Sequence, residues 1–360
     1  MRKLKIAFLS VGRFTHIESY VRFFADRGHD VCWIAYDDVA RELGVPTYSI
    51  SHGADATRAQ SKWRYLLSGL SARKLLRRLA PDIVHGHYVT SAGVISLLAG
   101  YRPFVLTAHG SDVIASVSSR PWRFILRRVF RAAACVNVVS EQLAGLVRDL
   151  GVPGEKILVA PVGVDTKAFA FAERASRTGP VRLLCTRTLD TVYDPITIVR
   201  ACEILRRRGI ALTLTFAARG AIEADVQAAV RAAGMDDVVR FHGGYRNAEL
   251  PAMLCDHDFF VSASLWDGTS ICLLEAMASG IFPIVTRITS NLAWLHDGVS
   301  ALMFDPGNAD ALAGCVQRAV QEPAMVAAAL RRNRETVEER ADRARNMTRI
   351  EEAYQRIVHG

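Results

Sequence analysis

The chain has 360 residues, half of them apolar, with 45 Lys and Arg against 36 Asp and Glu and a formal net charge of +9. That length can bury a substantial core and points to two domains, while the longest apolar runs are far too short to span a bilayer. Its seven cysteines are scattered, none in a C-x-x-C pair, which excludes a disulfide framework and a zinc site.

The basic excess is uneven. Residues 1 to 180 hold 25 Lys and Arg against 14 Asp and Glu, whereas residues 181 to 360 hold 20 against 22. A basic half joined to a near-neutral one is expected to meet an anionic surface or substrate. The start, MRKLKIAFLSVGRF, lacks the length and the small-residue cleavage site of a signal peptide and reads as a first buried strand. With reduced cysteines, this gives an expected cytoplasmic location.

In chain order the first half alternates apolar runs with helical patterns: KIAFLSV, IESYVRFFADRGH, DVCWIAY, ARKLLRRLAP, DIVHGHY, AGVISLLAG, FVLTAHG, PWRFILRRVFRAAA, CVNVVS, EQLAGLVRDLG and KILVAP. Continuous apolar strands one helix apart are the signature of a parallel sheet covered on both faces. The second half repeats the scheme with VRLLCTR, PITIVRACEILRRRG, ALTLTFAA, AIEADVQAAVRAAG, VVRFHGG, AELPAMLCDH, DFFVSAS, SICLLEAMASG and FPIVT. Between the halves, Pro161 to Pro180 loses the apolar period and ends in Gly-Pro. The tail from Asn308 is helical in composition, interrupted at Pro323. The expected fold class is therefore α/β, with two doubly wound Rossmann-like domains facing a central cleft, since ligands of open α/β sheets bind beyond the strands' carboxyl ends. The expected division is a first Rossmann-like domain over 1–165, a linker over 166–180, a second Rossmann-like domain over 181–335, and a C-terminal helix over 336–360 packing back on the first domain.

One residue breaks the apolar pattern. Glu275 lies inside ICLLEAMA, and on a helix its neighbours three and four places away are Ile271, Cys272, Ala278 and Ser279, none of them a cation. Its partner must come from elsewhere, either a distant Arg or a ligand.

Several stretches together carry a resemblance: RGHDV (27–31), PDIVHGHY (81–88), LTAHGSDV (106–113), PVGVD (161–165), VVRFHGG (238–244) and DGTSICLLEAMASG (267–280). In this order and at these spacings the chain resembles the GT-B fold glycosyltransferases of family four, a retaining family that uses nucleotide sugars. The resemblance aligns Asp267 and Glu275 with the family's paired acids and implies that Glu275 binds the ribose hydroxyls while Asp267 contacts the donor sugar. The residues themselves agree in part. Gly268, Thr269 and Ser270 are expected to open a helix whose free N–H groups hold the diphosphate, and eight helical residues rise roughly 12 Å, enough to address both ends of a nucleotide sugar. Asp267 can equally be read as a turn or N-cap aspartate.

By the same resemblance Arg187, in CTRTLD, is the phosphate arginine, and His109 lines the donor sugar, although a strand-end histidine can also be structural. His109, Arg187 and Asp267 are thus the implied catalytic residues. The implied donor contacts are Gly12, Arg187, Gly243, Arg246, Gly268, Thr269, Ser270, Leu274 and Glu275. His16 and His87 are acceptor-side candidates, and His85 and His87 are expected to point to opposite faces of their strand. The chain departs from the family at three places. Tyr193 stands where a phosphate lysine is usual, with Arg219 or Arg246 as candidate substitutes. Gly12 is the one glycine in the first loop, and Val162 replaces an asparagine. No His, Cys or carboxylate cluster has metal-ligand spacing, so no metal or other cofactor is expected beside a UDP- or GDP-linked sugar as co-substrate.

Two basic helices complete the reading. Arg73, Lys74, Arg77 and Arg78 share one face opposite Leu75, Leu76 and Leu79, and Arg123, Arg127, Arg128 and Arg131 repeat the pattern near Trp122 and Phe124. Such helices can lie on an anionic membrane, here the inner face of the plasma membrane, or be ordinary solvated surfaces. Nucleic acid is not an expected partner, for want of a recognised module. The expected function is retaining transfer of a hexose to a saccharide or lipid-linked oligosaccharide in cell-surface polysaccharide or glycolipid assembly. The alternatives are a transferase-derived scaffold protein, prompted by Tyr193, and a sugar-nucleotide epimerase, for which no catalytic carboxylates are found.

Overall fold

The computed structural model describes residues 2–11, 15–36, 43–50, 63–172 and 179–360, with the backbone alone for residues 15, 16 and 63–66. The chain forms two compact units, Met1–Val162 with Arg343–Gly360, and Gly163–Asp342.

Unit 1 is built on strands β1 (Lys5–Ser10), β2 (Asp30–Ala35), β3 (Thr47–Ser49), β4 (Ile83–His87), β5 (Phe104–Ala108), β6 (Cys135–Val138) and β7 (Ile157–Val159), in the order β3-β2-β1-β4-β5-β6-β7 with parallel pairing throughout. Its helices are α1 (Thr15–Asp26), α2 (Trp63–Leu79), α3 (Val94–Ala99), α4 (Ser111–Val117), α5 (Arg120–Ala132) and α6 (Glu141–Asp149). The middle strands β4, β5 and β6 are buried at every residue, the polar His85, His87, Thr107 and Asn137 included. The strand order reverses between β1 and β4, the switch point where doubly wound sheets take ligands.

Unit 2 carries β8 (Val181–Cys185), β9 (Leu212–Phe216), β10 (Val239–Phe241), β11 (Phe259–Ser262), β12 (Phe282–Thr286) and β13 (Leu302–Phe304), ordered β10-β9-β8-β11-β12-β13, again all parallel. Helices α7 (Pro195–Arg207), α8 (Glu223–Ala232), α9 (Leu250–Asp256), α10 (Ile271–Ser279), α11 (Thr289–Leu292), α12 (Ala309–Gln321) and α13 (Pro323–Arg340) connect or flank them. Here the switch point lies between β8 and β11. Side-chain caps set several starts: Asp194 accepts from Thr197 N–H before α7, Ser270 from Leu273 N–H before α10, and Asn308 from Ala311 N–H before α12. Pro323 opens α13, at a position where its missing N–H costs nothing.

The stretch after Val162 is part of unit 2. Val164 N–H donates to Ala341 O at 2.8 Å, Phe169 is buried, and the Arg334 guanidinium donates to the carbonyls of Thr166 and Phe169. Gly280 ends α10 in the left-handed conformation, φ +73°, and a Cβ there would stand 2.9 Å from the Phe171 ring. Residues 173–178 of the expected linker lie outside the described residues.

The last helix, α14 (Arg343–His359), belongs to unit 1. Its Glu351, 2% exposed, accepts from Arg27 Nε at 2.7 Å and pairs with His29 Nε2 at 3.0 Å, and His29 Nδ1 accepts Leu4 N–H. A carboxylate so deeply buried is tolerable because both its oxygens are bonded.

Candidate functional site

The chemistry of unit 2 gathers at its switch point. Two residues beyond β8, Arg187 turns inward and is 9% exposed. Its Nη2 meets Asp267 Oδ2 at 2.7 Å, its Nη1 donates to Ser270 Oγ at 3.1 Å, and its Cζ lies 4.0 Å from the centre of the Tyr193 ring. The two loops are pinned to each other, since Leu265 N–H donates to Val192 O at 2.9 Å. The Asp267 loop is also tied to β12 through Thr286 Oγ1, which donates to Ser264 O. On the other side, Gly220 packs so closely on the Arg187 loop that a Cβ would fall 2.0 Å from Leu189 O, so only glycine fits.

Burial pushes the Asp267 carboxyl above its usual range, against the pull of the Arg187 charge and the Gly268 N–H. Tyr193 is also pushed up by burial, which keeps its phenol neutral near pH 7. The guanidinium resists the burial that disfavours its charge because Cys272, Asp267 and Tyr193 surround it, and its pKa is raised.

One sequence expectation changes here. Helix α10 begins at Ile271, so Gly268 and Thr269 precede it and Ser270 is its cap, spending its hydroxyl on Leu273 N–H and on Arg187. Asp267 is therefore not on the helix, and a rise of eight helical residues does not separate it from Glu275. The capping residue stops the helix because its backbone is extended, φ −73° and ψ 107°. Glu275 is half-buried on α10, between the buried Leu274 and Ala276. Its charge is felt by the thiol of Cys272 and the phenol of Tyr245, which burial first and then Cys272 and Glu275 push upward. Cys272 is the helix neighbour that the spacing places three residues before Glu275, whereas nothing in the local pattern of Tyr245 reveals that it comes near the glutamate.

The candidate substitutes for the missing lysine are already engaged. The Arg219 side chain is 73% exposed and pairs with Glu223 at 3.3 Å, and Arg246, 86% exposed, pairs with Glu249 at 2.5 Å. Gly243, φ +76°, lies against the Arg219 guanidinium. A cavity of about 720 Å³ lined by Arg200, Glu203, Arg207, Asp305 and Asn308 is also in unit 2, but none of the switch-point residues lines it.

In unit 1, His85 and His87 share one face of β4, contrary to the expectation of opposite faces: residues two apart on a strand point the same way. Their rings stack at 4.5 Å, and both are fully buried. His85 bonds Tyr354 of α14 and Thr107 of β5, and burial pushes it down to about 3, so it is neutral. His87 stacks in turn on His109, with Nδ1 to Nε2 at 3.2 Å. His109 follows β5 directly and is half-buried. Its loop is held by Asp112, whose carboxylate accepts the N–H groups of Val89 at 2.6 Å, Gly110 at 3.0 Å and His109 at 3.2 Å. Asp112 stands three places after His109 in LTAHGSDV, and the preference of aspartate for loop N–H groups is the signal that could have found it. Gly12 lies outside the described residues, and of His16 only the backbone, in α1, is described.

Two family models match the chain: Glycosyltransferase Family 4 over residues 12–168 and Glycosyl transferases group 1 over residues 181–322. The chain belongs to glycosyltransferase family four. The putative colanic acid biosynthesis glycosyltransferase WcaL of Salmonella typhimurium is 25% identical over 268 residues, 71% of this chain and 66% of the relative. The D-inositol 3-phosphate glycosyltransferase of an Arthrobacter species is 29% identical over 266 residues, 68% of this chain and 63% of the relative. The match thus spans just under two thirds of the length of these relatives. Among solved structures, Anabaena HepE in complex with UDP superposes with a TM-score of 0.80 at 15% identity, over 98% of this chain and 100% of that one. That likeness, with two all-parallel sheets, gives the GT-B fold.

On this family-four glycosyltransferase the basic residues are placed as expected on the outside. Arg73, Lys74, Arg77 and Arg78 of α2 are exposed while Leu76 is buried, and Arg123, Arg127, Arg128 and Arg131 of α5 are exposed while Leu126, Val129 and Phe130 are buried. Helix α3 touches both α2 and α5. Leu67, Leu70, Leu98 and Phe124 on these three helices are exposed apolar side chains. Among the described residues no helix is long and apolar enough to cross a membrane.

Proposed function

We propose that the chain is a retaining hexosyltransferase that uses a UDP- or GDP-linked sugar and extends a saccharide or lipid-linked oligosaccharide for the cell surface. The observation that carries it is Arg187, buried at the switch point of unit 2 beside the start of α10, in a chain of glycosyltransferase family four. Two relatives named for colanic acid and amylovoran biosynthesis support the acceptor class, and a fold neighbour in complex with UDP supports the donor class.

In this reading the diphosphate lies against Arg187 and the first-turn N–H groups of α10, Glu275 takes the ribose hydroxyls, and Asp267 takes hydroxyls of the sugar. Breaking the bond to the anomeric carbon leaves negative charge on the diphosphate, and Arg187 with the helix start stabilises it. The acceptor oxygen bonds to the anomeric carbon on the face the diphosphate leaves, and its proton passes to the departing phosphate. No enzyme nucleophile is needed. His109 keeps the sugar-lining role that the family resemblance gives it. The basic faces of α2 and α5 are assigned to the anionic inner surface of the plasma membrane, where a lipid-linked acceptor would be found.

The test supplies UDP- and GDP-sugars with saccharide and lipid-linked acceptors and measures released nucleoside diphosphate together with the product's anomeric configuration by NMR. Retention of configuration is expected, with Arg187→Ala slower by about 10²–10³-fold. Inversion, or no transfer from any donor, contradicts the proposal.

A further inference from the structure

The ion pair between Arg187 and Asp267 joins the two groups to which the proposed function gives different ligands, the phosphate and the sugar. Of the guanidinium's donors, Nη2 is taken by the Asp267 carboxylate at 2.7 Å and Nη1 by Ser270 Oγ at 3.1 Å, while Nε is buried without a hydrogen-bond partner. One flat face is covered by the Tyr193 ring at 4.0 Å. With Nε buried, an incoming anion must be met by the Nη groups, and Asp267 already holds Nη2.

Charge leads to the same conclusion. Arg187 and Asp267 cancel, and Tyr193, at the family's lysine position, adds no cation. A doubly negative diphosphate approaching this pair would meet a neutral site whose nearest carboxylate repels it. The anchoring of the loop shows what can give way. Ser264 O accepts from the Thr286 hydroxyl and Leu265 N–H donates to Val192 O, but Asp267 lies two residues further on, followed by Gly268, and its Oδ1 accepts Gly268 N–H at 2.8 Å within its own turn.

We infer that Asp267 is a built-in competitor for the donor phosphate: the diphosphate binds by taking Arg187 away from Asp267, and the released carboxylate is then available to the sugar's hydroxyls. Tyr193 is the positioning residue of this exchange, holding the guanidinium in one plane whichever anion it faces. The inference rests on the reading of unit 2 as a nucleoside diphosphate sugar site. It makes sugar recognition conditional on a diphosphate: a free sugar or a nucleoside leaves Asp267 on Arg187 and meets no free carboxylate.

The test is calorimetric titration of wild type, Asp267→Asn and Asp267→Ser with UDP and GDP and with their parent nucleosides. The asparagine keeps the turn bond to Gly268 and removes the charge, and the serine removes the charge by a different route should the amide perturb folding. Both variants are expected to bind the preferred diphosphate about tenfold or more tighter than wild type, with nucleoside affinity changed by less than about twofold. Equal or weaker diphosphate binding by both variants, with nucleoside binding intact, overturns the exchange while leaving the donor site standing. If neither diphosphate binds the wild type or either variant, the donor-site reading itself fails, and the exchange with it.

Discussion

Replacing Arg187 by Met retains most of its buried volume while removing the guanidinium shared by Asp267, Ser270 and Tyr193. The Asp267 side chain, 13% exposed, then loses its cation. Breaking a fully buried pair in this way costs about 3–5 kcal/mol, and because some water reaches Asp267 a loss of about 2–3 kcal/mol is expected near neutral pH. The pH dependence is the sharper test. Burial already holds the Asp267 carboxyl above its usual value in the folded state, and Arg187 is the charge that restrains that rise. An acid whose pKa is higher folded than unfolded imposes no penalty below the unfolded pKa, about 3.9, and a growing penalty as pH rises through the folded pKa. Without Arg187 the folded pKa rises further, so the deficit of the variant should be largest at about pH 7.5 and shrink toward about pH 5. Calorimetric melting at both values measures it. For a unit of this size about 2–4 °C accompanies each kcal/mol, so the melting transition of unit 2 should fall by about 5–10 °C at the higher pH and by clearly less at the lower. An equal shift at both, or none, would refute the view that this is a buried charge pair.

Tyr193→Ala should weaken nucleoside diphosphate binding by about 2–30-fold, the worth of one cation–π contact, while Tyr193→Phe stays within about twofold of wild type by calorimetry. A phenylalanine variant as weak as the alanine would mean that the hydroxyl, not the ring, matters. Asp112→Asn turns an amide N–H₂ toward either the Val89 or the Gly110 and His109 N–H groups, so urea unfolding should show a loss of about 1–3 kcal/mol. An unchanged midpoint would show that the His109 loop does not depend on that carboxylate. Reversing Arg73, Lys74, Arg77, Arg127 and Arg131 to Glu spares the contacts of Arg78 with Tyr48 and of Arg128 with Phe124. At about 1 kcal/mol per basic residue near an anionic surface, this should abolish cosedimentation with phosphatidylserine vesicles, and wild type that prefers neutral vesicles would sink the membrane assignment.

The parallel sheets were legible because a strand buried on both faces is apolar along most of its length, as FFVS of β11 and FPIVT of β12 show. Arg187, Asp267 and Glu275 were legible as family positions. Their mutual geometry was not: the Ser270 cap that starts α10 late, and the Asp267 carboxylate that turns back to Arg187, depend on loops 80 residues apart in the chain meeting at one switch point. The contact of His85 with Tyr354 spans 269 positions and has no local trace at all. His85 and His87 had to share a face, by the period of a strand, and Asp112 sat in plain view beside His109. In the sequence Tyr193 shows as a missing charge, whereas its ring over the Arg187 guanidinium is a contact that only the folded chain reveals.

The central claim is that unit 2 binds a nucleoside diphosphate sugar through Arg187 and Glu275. Thermal melting of wild type and Glu275→Ala against UDP, GDP and their sugars tests it most directly. At a hundred times its dissociation constant a ligand stabilises the native state by about 2.7 kcal/mol. The account predicts that one nucleotide raises the wild-type melting temperature and that the same concentration shifts Glu275→Ala far less. An equal shift in both proteins, or no shift with any nucleotide, would contradict it.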